Sequence, residues 1–455
     1  MKLAIVGAGW AGMAAAVEAA SRGADVTVFE AARTLGGRAR ALAASLPDGT
    51  PVTLDNGQHI LIGAYADALA LMQRVGLDLS QALMALPLAL PHIDGSGLQT
   101  PAWATRWPAP LDALAAIATA RGWGWGERLA LLRTAMRWQR SGFACAPERT
   151  LAELCAALPR RVNQELIEPL CVSALNTPAE EASAAVFLRV MRDSLFGKGF
   201  AGFNAASLLL PRTDLSQLFP DAAATWLHAQ HGPSSRLRIG TRVGTLRPLG
   251  AQWVLGHELG EDTFDAVIWA TAASPAAKAI AQAADDCDDA TAHTLQAWAH
   301  CARDLPFTAI TTVYAWGPEA RLPLPMLALR PEPDAHAAPA QFVFDRAQLH
   351  PHDPSAQGLL AFVVSASSDE REDLQTRVLQ QAAHQLGLTT LQPVQTVVEK
   401  RATFACTPQV VRPAQSIAPG LWAAGDYVQG PYPATLEGAV RSGLAAAAQA
   451  VPATG

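Results

Sequence analysis

Two stretches at opposite ends of the chain predict an α/β fold built around a dinucleotide-binding unit. The first is GAGWAG at residues 7–12 followed by DVTVFE at 25–30; the second is LWAAGDYVQGPYPATLEGAVRSG at 421–443. The N-terminal stretch carries the local argument. The apolar run Leu3 to Val6 reads as a buried strand, and the alanine-rich stretch from Trp10 to Arg22 reads as a helix. A second strand begins after Gly23 and ends in Glu30. Gly7, Gly9 and Gly12 at such a strand-to-helix turn bring backbone N–H groups up to a pyrophosphate at a helix N-terminus. Glu30 lies 18 residues beyond Gly12, close to the spacing at which an acidic strand end takes ribose hydroxyls in a Rossmann-like βαβ unit.

The same glycine pattern recurs as GKGFAG at 197–202. There it follows AAVFLRVMRDSLF, whose apolar spacing is helical, and runs into FNAASLLLP with no acidic strand end. Gly197, Gly199 and Gly202 are therefore expected to form a loop, and one dinucleotide is expected in all.

At 455 residues the chain exceeds the roughly 100 to 200 of a single domain, so two or three lobes are expected. A net charge of −6 gives no support for nucleic-acid binding. The six cysteines show no CxxC and no metal-ligand spacing, so neither a disulfide framework nor a metal site is expected. The fingerprint lies so near Met1 that a cleaved signal peptide would destroy it. No uncharged apolar run reaches the ~18 residues a membrane span needs. A cytoplasmic protein is expected.

The fingerprint serves NAD and FAD alike; the residues after Glu30 separate them. AARTLGGRAR places Gly36 and Gly37 where the chain must turn close over a cofactor, and Arg38 beside them offers a planar fork to a phosphate. This run resembles the FAD-binding amine oxidase and phytoene desaturase superfamily, and residues 421–443 resemble its closing motif. The resemblance implies FAD as the cofactor, contacted by Gly36, Gly37 and Arg38, with the backbone of Val243 at the adenine end. It places Gly425 and Asp426 at the ribityl or pyrophosphate region. It also implies a helix starting near Thr435 and Leu436 whose amides face the flavin ring. A helix N-terminus suits a reduced flavin, whose negative charge lies near N1 and O2. Taken singly, GDY is a turn and TLEGAV an ordinary amphipathic helix; with the matched N-terminal half they form one site.

Because the two halves of that site lie at opposite ends, the FAD-binding domain is expected to be discontinuous, with an inserted α+β substrate domain. Residues 1–75, 206–280 and 405–455 are assigned to the first, and 76–205 and 281–404 to the second. Within the middle piece, RLRIGTRVGTLRP suggests a strand running through Val243, and FDAVIWATAAS a strand entering a small-residue turn.

Residues 103–142 are unusual. They hold Trp103, Trp107, Trp123, Trp125 and Trp138, with Arg106, Arg121, Arg128, Arg133, Arg137 and Arg140 against Asp112 and Glu127, a local charge of +4. On a helix, Trp125, Leu129, Leu132 and Met136 form an apolar stripe with Arg133, Arg137 and Arg140 beside it, as in helices that lie on anionic lipid. Trp138 and Leu131 fall on the opposite face, so a core-packing helix with a solvated basic side competes with peripheral membrane contact.

DNGQHILIGAY at 55–65, GKGFAGFNAASLLLPRTDLSQLFPDAA at 197–223 and GPYPATLEGAVRSG at 430–443 narrow the resemblance to the squalene-associated FAD-dependent proteins, the hydroxysqualene dehydroxylases. That resemblance spans nearly the whole chain. It implies reductive removal of the allylic hydroxyl of hydroxysqualene, giving squalene, and a long-chain isoprenoid substrate. The leaving oxygen needs a proton donor over the flavin. His59 is the first candidate and Tyr432 the second; Lys198, one of four lysines beside 30 arginines, is weaker. Equally, Asp55 and His59 could pair with each other or with backbone to order their loop. A carotenoid-type desaturase, an amine oxidase using Tyr427 and Tyr432 as a cage, and a flavin-free prenyl-lipid carrier are the rivals. The electron donor is unknown: a separate reductase, free reduced flavin, or NAD(P)H entering the substrate pocket.

Overall fold

Strands that are apolar on both faces must be covered on both faces, and parallel sheets meet that need. In the computed structural model, which describes residues 1–105, 107, 110–232, 235–332 and 337–452, such runs build a six-stranded sheet. Its order is Ser235–Ile239, Asp25–Glu30, Lys2–Val6, Ala266–Trp269, Leu421–Ala423, Ser416–Ala418; all pairings are parallel except the last. Leu3, Ala4, Ile5 and Val6 are all buried. The strand DVTVFE spans Asp25–Glu30, and the first helix spans Trp10–Ser21.

Small residues on that helix let the closing helix, Leu436–Ala450, lie against it. A side chain at Gly443 would place its Cβ 2.1 Å from the Ala11 carbonyl oxygen, so the two ends of the chain meet backbone to backbone.

A second, antiparallel sheet has the order Met326–Ala328, Phe342–Asp345, Leu359–Ser367, Phe307–Trp316, Gln392–Phe404. Alternation decides its two faces. Val343 packs with Leu374, Val378 and Ala382 of the helix Arg371–Leu386, while Phe342 and Phe344 point to the other side.

The expected continuous strand through Val243 is two strands. Ser235–Ile239 joins the parallel sheet, the chain turns at Gly240, and Val243–Leu249 opens an antiparallel meander with Gln252–His257 and Gly260–Phe264. Glycine in the left-handed region at Gly240, φ 72°, ends one run and starts the other. The segment 208–218 stands apart from the main sheet. Leu208–Pro211 pairs with Leu61–Ile62 and Leu83–Leu86 in a small separate sheet.

Ala102–Ala104 is a turn of 3-10 helix, and Leu111–Thr119 and Trp125–Arg140 are α-helices. Arg106 lies outside the described residues. Among the described residues no helix is long and apolar enough to cross a membrane.

Candidate functional site

The carboxyl ends of the parallel strands open onto a cavity of about 780 Å³, with Val6, Glu30 and Trp269 in its wall. This is where open parallel sheets hold ligands. Gly7, at φ 108°, makes the turn out of the first strand, and its N–H donates to the Phe29 carbonyl at 2.7 Å. A Cβ at Gly12 would lie 1.9 Å from the Gly7 carbonyl oxygen, so only glycine lets the helix start this close to the strand. Gly9 caps the helix and pairs with Gly36. A Cβ at Gly37 would approach Gly9 Cα to 3.2 Å. Gly7, Gly9, Gly36 and Gly37 all line the cavity; Gly12 lies behind them.

Glu30 ends its strand with both carboxylate oxygens held by backbone: one accepts from Ala8 N–H and the other from Ala32 N–H, each at 2.8 Å. Val243 lines the same wall at the first residue of its strand.

From the far end of the chain come Gly425, Asp426, Thr435 and Leu436, all in the cavity wall. Gly425 N–H donates to Ser442 Oγ at 2.8 Å. Thr435 caps the closing helix, accepting from Gly438 N–H at 2.9 Å, and Leu436 is the first residue of that helix. Arg38 joins the two ends. Its guanidinium pairs with Asp426 and donates to the carbonyls of Ala402 and Arg401. Burial alone would make Arg38 easier to deprotonate, but the Asp426 carboxylate outweighs it and holds the guanidinium above its ordinary pKa. The fork expected to face a phosphate is thus turned, in this structure, to a carboxylate.

His59 lines the cavity, with Nδ1 2.8 Å from the Gly57 carbonyl oxygen. Burial holds its pKa below the ordinary value, against the opposing pull of the Gly57 hydrogen bond and of Asp55. Asp55 does not pair with His59. Its carboxylate meets Arg346 Nη1 at 2.9 Å and accepts from Leu215 N–H at 2.8 Å. Arg346 also donates to the Thr53 carbonyl at 3.2 Å and to Gln58 Oε1 at 3.4 Å. The Tyr314 hydroxyl donates to the Asp55 carbonyl at 3.0 Å. This buried network anchors the side of the loop that leads into His59, and nothing near Arg346 in the sequence announces it.

Tyr432 is not in the cavity wall. Its hydroxyl donates to Asp193 at 2.9 Å, and the Arg441 guanidinium sits 4.6 Å over its ring. Burial, and then the Asp193 carboxylate, push the phenol up to about 12. In this structure its hydroxyl proton is directed to Asp193. Lys198 is exposed and away from the wall. The whole GKGFAG stretch is a loop closing the helix Ala184–Phe196, where a Cβ at Gly199 would lie 1.7 Å from the Phe203 carbonyl oxygen.

Beyond the glycines the wall turns apolar. Leu170 and Ala174 come from the helix Glu168–Leu175, Val190 and Met191 from the helix Ala184–Phe196, and Phe342, Phe344 and Val363 from the antiparallel sheet. Asn176, in the left-handed conformation that ends Glu168–Leu175, ties this helix to the sheet by donating to Thr403 Oγ1 at 3.0 Å and accepting from Ala366 N–H at 2.7 Å. None of these wall residues was singled out by a motif. Their signal is periodicity alone, which marks a face without saying whether it meets a core or a ligand.

The residues fit a flavin dinucleotide. Glycine backbone lines the cavity at Gly7 and Gly36, where a Cβ would collide with the Ala270 and Ala39 carbonyl oxygens at 2.7 and 2.6 Å, a carboxylate ends the second strand, and the buried Tyr427 hydroxyl in the wall has no protein partner. Residues 10–451 match the family model described as flavin containing amine oxidoreductase. The chain is 26% identical to a hydroxysqualene dehydroxylase of Rhodopseudomonas palustris, over 97% of this chain and 96% of that one. It is 27% identical to a hydroxysqualene dehydroxylase of Zymomonas mobilis, over 97% of each. Among solved structures, an oxidoreductase from Methanosarcina mazei superposes with a TM-score of 0.70 at 15% identity, covering 98% of this chain and 99% of that one. The cofactor is FAD, and the protein is an FAD-dependent oxidoreductase.

Proposed function

Since the chain belongs to the flavin containing amine oxidoreductase family, we propose that it reductively removes the allylic hydroxyl of hydroxysqualene to give squalene, as a step toward hopanoids. One observation carries this reading: a single cavity joins the glycine cradle to an apolar wall that includes Val190, Met191, Phe342 and Phe344. A long isoprenoid buries apolar surface there at ~25 cal/mol per Å². An amine oxidase is disfavoured because Tyr432, half of the expected aromatic cage, is absent from the wall. A carrier without flavin has no need of the cradle.

In this reading Gly7, Gly9, Gly36 and Gly37 accept the pyrophosphate region, Glu30 the ribose hydroxyls, and the Val243 backbone the adenine end. Gly425, Asp426, Thr435 and Leu436 close over the remainder, and Arg38 clamps the two halves through Asp426. Bound FAD in its reduced form supplies a hydride to the carbon that loses oxygen. His59 donates the proton that turns hydroxide into water. With Nδ1 held by the Gly57 carbonyl, Nε2 is the nitrogen that gains and loses that proton. A lowered pKa makes the charged ring scarcer at neutral pH but a stronger donor.

Residues 1–75, 206–280 and 405–455 form the FAD-binding part, and 76–205 and 281–404 the substrate part. The protein works on the cytoplasmic side of a membrane that holds its substrate. Reducing power arrives from a separate reductase, free reduced flavin or transient NAD(P)H. The test presents oxidised and photoreduced protein, without oxygen, with hydroxysqualene, a primary amine and a saturated isoprenoid. Squalene formed only by the reduced protein supports the reading; bleaching of the oxidised flavin by the amine or the saturated chain overturns it.

A further inference from the structure

The helix Trp125–Arg140 is amphipathic twice. Leu131, Thr134 and Trp138 are buried and pack it onto the protein. On the opposite side Trp125, Leu129 and Met136 are exposed, Trp125 by 78%. The stripe is therefore no part of the core, and the untidy pattern in the sequence is the sum of two faces. Trp103 and Trp107, 59% and 42% exposed, stand in an edge-to-face pair at 4.9 Å before the helix Leu111–Thr119, whose Leu111 and Leu114 are also exposed. Among the described residues these three are the exposed tryptophans. Arg128 binds the two helices together, donating to the carbonyls of Ala118 and Ala120 at 2.7 Å while its guanidinium lies 5.1 Å over the Trp125 ring.

Arginine dominates the charge of this segment. Arg121, Arg133, Arg137 and Arg140 are exposed. The segment has two acidic residues: Asp112 is buried and accepts from Ala113 N–H at 2.8 Å, and half-buried Glu127 caps Gly124 N–H at 2.7 Å. A basic apolar face on a chain of net charge −6 is complementary to anionic lipid, with tryptophan at headgroup depth and arginine reaching outward.

We propose that this face docks the protein on an anionic bilayer. The docking does not depend on the isoprenoid reading above. The experiment floats the flavin-loaded protein with vesicles of phosphatidylglycerol and phosphatidylcholine, and with pure phosphatidylcholine. Binding is expected to the mixed vesicles only and to weaken as salt rises. R133Q/R137Q/R140Q is expected to lower the partition coefficient by about 100-fold, at the strength typical of arginine near an anionic surface. W103S/W107S/W125S is expected to abolish flotation. Retained flavin absorbance and unchanged turnover in detergent micelles exclude misfolding of either variant. Equal binding to neutral vesicles, flotation untouched by both variants, or a concentration-dependent dimer lost in the tryptophan variant without flotation of the parent would each overturn the docking. Flotation without turnover of hydroxysqualene in micelles would leave docking standing and remove the substrate assignment.

Discussion

Replacing Arg346 by methionine keeps an unbranched apolar stem and removes the charge from a site where both partners of the ion pair are 3% exposed. Asp55 would keep one backbone donor, Leu215 N–H, and lose its only charged partner in that network. Breaking such a pair from one side leaves a buried charge uncompensated and costs about 3–5 kcal/mol. The double variant D55N/R346M removes the charge as well, so its cost should fall short of the sum of the single costs by about 2 kcal/mol or more. The assay is urea unfolding of the flavin-loaded protein for the parent, both single variants and the double. The pH dependence carries an independent sign. Burial already raises the Asp55 pKa above its ordinary value, so the folded state takes up a proton more readily than the unfolded one. Stability tied to that group is full at low pH and is lost as pH rises through the folded pKa. Without Arg346 the pKa rises further, so the deficit of R346M should widen from pH 5 to pH 8. Additive single effects, or a deficit that shrinks with rising pH, would refute the view that Asp55 and Arg346 act as a buried charged pair holding the His59 loop.

Three further outcomes are expected. In G12A the new Cβ meets the Gly7 carbonyl oxygen at 1.9 Å; overpacking of about 1–3 kcal/mol should appear as weaker flavin retention, read from visible absorbance after gel filtration. H59Q should lower the rate of lipid reduction by about 10²–10⁴ without loss of flavin, and the parent's rate should fall as pH rises through a value below the ~6.5 of free imidazole, a limb that H59Q lacks. Y432F should leave turnover within a few-fold of the parent while the loss of the Asp193 hydrogen bond costs about 1–2 kcal/mol of stability in the same urea assay.

The parts of this molecule legible in the sequence are those written by local chemistry. Leu3 to Val6 and DVTVFE announce themselves because a buried parallel strand is apolar throughout, and Gly7, Gly9 and Gly12 because a strand-to-helix turn at a phosphate tolerates little else. What distant residues decide is not legible. Arg38 and Asp426 lie 388 positions apart, and neither motif says that one side chain will face the other. Tyr432 sits inside a flavin motif, yet it is Asp193, on a helix from elsewhere in the chain, that turns its hydroxyl from the cavity. The single strand expected through Val243 failed because the apolar alternation runs on past Gly240, while the backbone there reverses into another sheet. Phe342 and Phe344 alternate with Val343 as any strand would; only the helix Arg371–Leu386, covering Val343, leaves the phenylalanines to the ligand.

The measurement closest to the central claim is a single turnover in heavy water without oxygen. Photoreduced protein is mixed with hydroxysqualene while the flavin absorbance is followed, and the extracted lipid is weighed by mass spectrometry. The account predicts flavin reoxidation matched mole for mole by squalene carrying one solvent-derived deuterium on carbon. Loss of water to a more unsaturated product with the flavin still reduced, or reoxidation with no change in the lipid, would contradict it.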